Sequence, residues 1–103
     1  MKPVILRPAA EADLLAIAAF IAEDDAERAL KLVGRLRTRC LSLGAHPKLG
    51  RPRPEFGEGI RGLWEKPYLA LYHVTDSAVE ILTFVHGAMD LPSVVAARLA
   101  SDD

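Results

Sequence analysis

The chain has 103 residues, enough for one domain spanning 1–103 and too few for two. Half of the residues are hydrophobic, so a real core can form, and the formal net charge is −1. That balance excludes a surface that is basic throughout, as a non-specific nucleic-acid binder needs, but leaves room for a local basic patch.

The opening MKPVILRP is too short for a signal peptide, and no apolar run approaches the roughly 20 residues of a membrane span. Val4 to Leu6, flanked by Pro3 and Pro8, reads as a short first strand. Ala10, Leu14, Ile17, Ala18 and Ile21 recur at helical spacing and predict a helix from about Ala9 to Ala22. Asp24 and Glu27 form a D-x-x-E capping box for a second helix running to about Leu43. Its apolar stripe is Ala29, Leu32, Val33, Leu36, Cys40 and Leu43. Gly44 is expected as the C′ residue, and Pro47 blocks continuation. Cys40 is the single cysteine. It therefore forms no internal disulfide and packs on the helix stripe, compatible with a reducing cytoplasm. Cytoplasmic localisation without membrane contact is the expectation.

Residues 45–59 are rich in Pro, Gly and charge and read as a long loop. Three strands follow, at about 60–65, 68–74 and 79–86, with turns at Lys66-Pro67 and at Thr75 to Ala78. A helical piece is expected from about Leu91 to Leu99, starting at Asp90 with Pro92 in its first turn. The order β-α-α-β-β-β predicts an α+β fold: an N-terminal helical hairpin packed on one face of a mostly antiparallel sheet, with a short C-terminal helix.

The last hairpin predicts its own register. A four-residue turn pairs Val74 with Val79, Tyr72 with Ile81, Leu71 with Leu82, Ala70 with Thr83 and Leu69 with Phe84. Alternation then puts Val74, Tyr72, Ala70, Val79 and Ile81 on one face, and Leu69, Leu71, Leu82 and Phe84 on the other. One face lies under the helices. The other is either a partner site or is covered by 91–99.

The chain carries in order Ala10-x-x-Asp13-Leu14-x-x-Ile17-x-x-x-Ile21, then Leu36, Cys40 and Leu43, then His46-Pro47-x-x-Gly50-Arg51-x-Arg53. Gly59-Ile60-Arg61, Tyr68-x-x-x-Tyr72-x-Val74, Val79-Glu80-Ile81-Leu82 and His86-x-x-Met89-Asp90 complete the set. This ordered set is similar to ParE-type toxins of the RelE/ParE superfamily. The resemblance implies the toxin of a type II toxin–antitoxin system, of the plasmid-stabilisation kind. It implies neutralisation by a ParD-like antitoxin whose C-terminal segment wraps the toxin, and inhibition of DNA gyrase as the toxic act. It also implies contact with operator DNA only through the antitoxin, and no cofactor. Leu69, Leu71, Leu82 and Phe84, with Trp64 as an anchor, become the expected antitoxin-binding set. Arg51, Arg53, Arg61, His86, Met89 and Asp90 become the expected target-binding set.

The superfamily's RelE-like branch cleaves messenger RNA on the ribosome, which needs basic and proton-transfer groups around a phosphate. Here Leu69 stands where those enzymes place an arginine, Gly87-Ala88-Met89-Asp90 carries no Lys or Arg, and no tyrosine follows Tyr72. These departures favour a target-binding toxin without catalytic residues. His86 keeps the nuclease alternative open, as a general acid or base rather than a hydrogen-bonded strand-end residue. A non-toxic binding module is the third alternative. His46 reads as a turn residue and His73 as a cross-strand partner of Glu80. Three dispersed histidines give no metal-ligand spacing. Arg51, Arg53 and Arg61 read either as contacts for an acidic surface or as a solvated loop interleaved with Glu55 and Glu58. Trp64 reads as either core or partner-facing.

Overall fold

The computed structural model describes residues 1–87. The helical piece expected over 91–99, and with it Met89 and Asp90, lies outside the described residues. The elements run β1 (Val4–Leu6), α1 (Pro8–Ala22), α2 (Ala26–Ser42), β2 (Arg51–Pro52), a 3-10 turn (Pro54–Phe56), β3 (Arg61–Glu65), β4 (Tyr68–Val74) and β5 (Val79–His86). One five-stranded sheet has the order β1-β5-β4-β3-β2. β1 is parallel to β5 and the remaining pairs are antiparallel.

The α+β architecture and the three long strands match the sequence expectation, with the strand expected at 60–65 starting one residue later, at Arg61. β2 is an addition. The loop over 45–59 reaches the sheet edge and pairs Arg51 with Gly62 and Pro52 with Arg61. A proline fits there because an edge strand needs only one of its two hydrogen-bonding sides.

Local signals set the helix ends. Pro8 opens α1, where its missing N–H costs nothing. The α2 cap is Asp25 and not Asp24: the Asp25 carboxylate accepts from the Arg28 amide at 3.1 Å. The capping-box spacing from Asp24 to Glu27 pointed one residue too early, since Asp25 caps the helix without a Glu three residues on. Gly44 is not a left-handed C′ residue, since the only positive-φ residues described are Gly57 and Gly59. Its glycine answers a close approach: a Cβ there would lie 2.5 Å from the Lys2 carbonyl oxygen. The Lys2 amide in turn donates to the Gly44 carbonyl at 3.0 Å, tying the chain start to the end of α2.

The β4–β5 register follows the expectation from Val74↔Val79 to Tyr72↔Ile81 and then departs from it. A bulge leaves Leu82 without a partner, so that Leu71 faces Thr83, Ala70 faces Phe84 and Leu69 faces Val85. A bulge shifts by one every side chain beyond it. Phe84 therefore lies in the core beneath the helices, with Leu14, Ile17, Tyr68 and Ala70, and not on the far face. Val85 takes its place on that far face, beside Ile60, Leu69, Leu71 and Leu82, with Phe56 packed against them. The far face is no open apolar patch: Leu69 and Leu71 are fully buried within the chain.

The bulge sits where α1 crosses β5. Asp13 is buried, and its Oδ2 accepts from the Thr83 hydroxyl at 2.6 Å and the Phe84 amide at 2.9 Å. Across the sheet, Tyr72 is fully buried and its hydroxyl holds the loop. It donates to the Pro47 carbonyl at 2.8 Å and accepts from the Gly50 amide at 2.9 Å. A Cβ on Gly50 would stand 2.7 Å from both the Tyr72 ring and the Gly62 carbonyl.

Gly50→Ala is expected to lower stability by about 1–3 kcal/mol through overpacking. Gly34→Ala, whose Cβ meets nothing within 4 Å on a helix surface, is expected to raise it by about 0.5–1 kcal/mol. Urea midpoints that move the same way for both would contradict this packing.

Candidate functional site

The β4 and β5 strands end side by side at Tyr68 and His86, which are register partners. Their rings meet edge to face, with centroids 5.3 Å apart. One stripe of α1 (Asp13, Ala16, Ile17 and Phe20) lies beside this strand end. Together with Phe84 and Val85 these residues line a cleft of about 360 Å³. The helical i, i+3, i+4, i+7 spacing puts the four α1 residues on one side of the helix. The walls are chiefly apolar, and the titratable groups among the described lining residues are Asp13, Tyr68 and His86. Asp13 already serves Thr83 and Phe84. The cleft can accept an apolar side chain next to an imidazole. Among its described residues it has no Lys or Arg to hold a phosphate.

The basic residues singled out from sequence lie elsewhere, and Arg53 and Arg61 are engaged with their own loop. Arg61 donates from Nε to the Gly50 carbonyl at 2.8 Å and from Nη2 to the Lys48 carbonyl at 3.2 Å. Arg53 pairs with Glu55 at 2.9 Å, and its guanidinium lies 4.8 Å from the centre of the Phe56 ring. Arg51 is exposed on the β2 edge. Arg61 faces Tyr72, four residues along β4 from Tyr68. At strand rise that is about 13 Å from the His86 end. Trp64 is 40% exposed on the far side of β3, with its ring against Gly87. Leu69, Leu71 and Leu82 lie together on that side but are buried, and Phe84 faces the helices instead.

The structure thus separates residues that the sequence reading grouped. It also brings forward three that were not among the expected site residues: Asp13, Phe20 and Tyr68. Asp13 carried a signal, being an acid at a position the α1 apolar spacing turns inward. Thr83 could be paired with it only once the bulge was known.

His73 and Glu80 form the cross-strand pair expected of them, Nε2 to Oε1 at 2.6 Å, with Arg7 3.6 Å from the same carboxylate. The His73 hydrogen bond is the main cause that holds the Glu80 carboxyl below its usual range, against a smaller opposing effect of desolvation. Cys40 is fully buried, and desolvation pushes its thiol up to about 12, opposed weakly by Arg39 and Arg37. It remains a protonated packing group and no nucleophile. Among the described residues no group of three His, Cys, Asp or Glu side chains could hold a metal ion. No described helix is long and apolar enough to cross a membrane.

Fold and cleft together define a small α+β domain, a helical hairpin on a mixed sheet with an apolar cleft at the strand ends. A family model described as "ParE toxin of type II toxin-antitoxin system, parDE" matches residues 4–91, and the chain belongs to that family. It is 33% identical over 79 residues to a protein of Sinorhizobium fredii (strain NBRC 101917 / NGR234) named "Putative toxin Y4kP", covering 77% of this chain and 81% of the relative. Its structure is similar to a chain of the chromosomal ParDE TA system from P. aeruginosa, with a TM-score of 0.72 and 28% identity over 84% of this chain and 96% of the other.

A carboxylate with a lowered pKa adds stability above its unfolded value and loses it as pH falls through its folded value. His73→Ala is therefore expected to weaken the protein near neutral pH and to flatten its acid unfolding limb. An unchanged acid limb in pH-dependent urea titrations would contradict the Glu80 assignment.

Proposed function

We propose that this chain is a toxin that acts in the cytoplasm by binding DNA gyrase, and that a ParD-like antitoxin neutralises it. Family membership supports the class, and the solved relative comes from a ParDE pair. The observation that carries the reading is the separation, among the described residues, of charge from proton-transfer chemistry. Ribonucleolytic cleavage needs a cation and an acid–base group on the same phosphate. Here His86 is at one end of β4 and Arg61 about 13 Å along it, bound to the loop carbonyls of Gly50 and Lys48. Arg35 and Arg39 of α2 are paired with Glu65 at 3.7 and 3.6 Å.

In this reading Arg51, exposed on the β2 edge, and His86 at the cleft are the target-facing groups, and half-exposed Trp64 is a partner-facing anchor. Contact with operator DNA runs through the antitoxin. The competing reading is a ribosome-dependent nuclease that uses His86, which the cleft holds against Tyr68.

Two assays run with the same purified chain separate these readings: supercoiling by gyrase, and transcript integrity in a translating extract. Loss of supercoiling with intact transcripts is expected, and His86→Ala is expected to leave transcripts unchanged. Cut transcripts beside normal supercoiling would overturn the proposal. Neither effect, together with harmless expression in cells, would point to a non-toxic binding module.

A further inference from the structure

α2 buries Ala29, Leu32, Leu36 and Cys40 and turns a basic row away from them. Lys31, Arg35 and Arg39 recur at four-residue spacing, so each stands about 6 Å beyond the last along one side of the helix. With Gly34, Thr38 and Glu65 they line an open groove. Gly34 leaves the space above the helix backbone free, since a Cβ there would meet nothing within 4 Å. Arg39 also lines a cavity of about 180 Å³ at the β2–β3 edge, whose walls include Arg51, Arg53 and Trp64. The basic row of α2 thus continues through Arg39, over the sheet edge, to an indole that is 40% exposed.

The carboxylates along this run do not match its cations. Glu65 is the acid among the described lining residues, and Arg35 and Arg39 share it. Glu27 and Glu55 reach Lys31 and Arg53 from outside the two cavities. Arg51 is exposed and makes no side-chain hydrogen bond or ion pair among the described residues. In a chain of net charge −1, this concentration of positive charge is local.

Evenly stepped cations that lead to an open aromatic ring suit a single nucleic-acid strand, with phosphates along the row and a base on the ring. A duplex keeps its bases stacked on one another and leaves the indole unused. An acidic peptide offers carboxylates of varied reach and no flat face for the ring. The sheet also parts this run from the imidazole. Trp64 pairs with Leu69, which lies behind the sheet, and His86 pairs with Tyr68, which lies under the helices.

We infer that the groove from Lys31 over Arg39 to Trp64 binds a single-stranded nucleic acid, through its phosphates and one stacked base and without reading sequence. The strand is held on the opposite face of the sheet from His86. This binding does not depend on which protein the toxin targets, and it is separate from operator contact through the antitoxin.

Trp64 is the single tryptophan, so its fluorescence reports the site directly. Titration of the purified chain with a short oligothymidylate is expected to quench it saturably, and added salt to reverse the quenching. Arg35→Ala/Arg51→Ala is expected to weaken binding at least tenfold with an unchanged circular dichroism spectrum. It is also expected to reduce the slope of log affinity against log salt by about 1.4, the share of two phosphates of a single strand. Arg28→Ala, on α2 but outside the row, is expected to stay within twofold. Oligouridylate is expected to bind within tenfold of oligothymidylate, because phosphates and base faces are common to both. No quenching of the wild-type chain, or wild-type affinity in the double variant, overturns the site. Tighter binding of a duplex of the same length, or displacement of the strand by oligoglutamate of equal charge, overturns the choice of ligand. A gap wider than tenfold between the two oligonucleotides overturns recognition by backbone and stacking.

Discussion

The two layers of this protein are joined by one buried carboxylate. β1 is three residues long and β5 eight, so their ladder ends early. Its last bond runs from the Arg7 amide to the Ile81 carbonyl at 2.9 Å. Past that point α1 has begun, and Asp13 replaces the missing strand by accepting from Thr83 and from the Phe84 amide. Hydrogen bonds to a charged group contribute about 1.5–3 kcal/mol each. A buried carboxylate without them would cost several kcal/mol. The Leu82 bulge presents both donors to the same oxygen, and with them it sends Phe84 into the helical core and Val85 behind the sheet.

The surfaces available for function follow from that arrangement. With Phe84 turned inward, the strand ends and the Asp13 side of α1 form an apolar cleft beside His86, remote from the arginines of the loop. The face behind the sheet is packed within the chain, and exposed apolar area shifts to the outside of the helical hairpin. The described residues thus present a cleft beside His86 with no Lys or Arg in its described lining at one end, and exposed Leu15, Phe20, Leu30 and Leu41 along the hairpin.

Much of this was legible in the sequence because it depends on period and punctuation. Leu14, Ile17 and Ile21, then Ala29, Leu32, Leu36 and Cys40, announced two helices with one buried stripe each, and those residues are buried. The turn at Thr75 to Ala78 fixed Val74 opposite Val79 and Tyr72 opposite Ile81. The bulge was not legible, since Leu82 and Phe84 fit an uninterrupted alternation equally well and only the contact to Asp13, some 70 residues away in sequence, decides. The side-chain duties of Arg53 and Arg61 were hidden for the same reason: a basic residue in a loop looks alike whether it serves a partner or its own carbonyls. Gly44 followed a frequent capping rule, but close approach to Lys2 explains it.

The most direct test of this account is the exchange rate of the Phe84 amide proton in the native protein and in Asp13→Ala. Its acceptor is the Asp13 side chain, so the account predicts strong protection in the native chain. In the variant it predicts a selective loss of that protection, larger than at Tyr72 or Ile81, whose amides lie in the regular part of the ladder. A Phe84 amide that exchanges no faster in Asp13→Ala than its strand neighbours would contradict it, and with it the bulge that sets which residues face the helices.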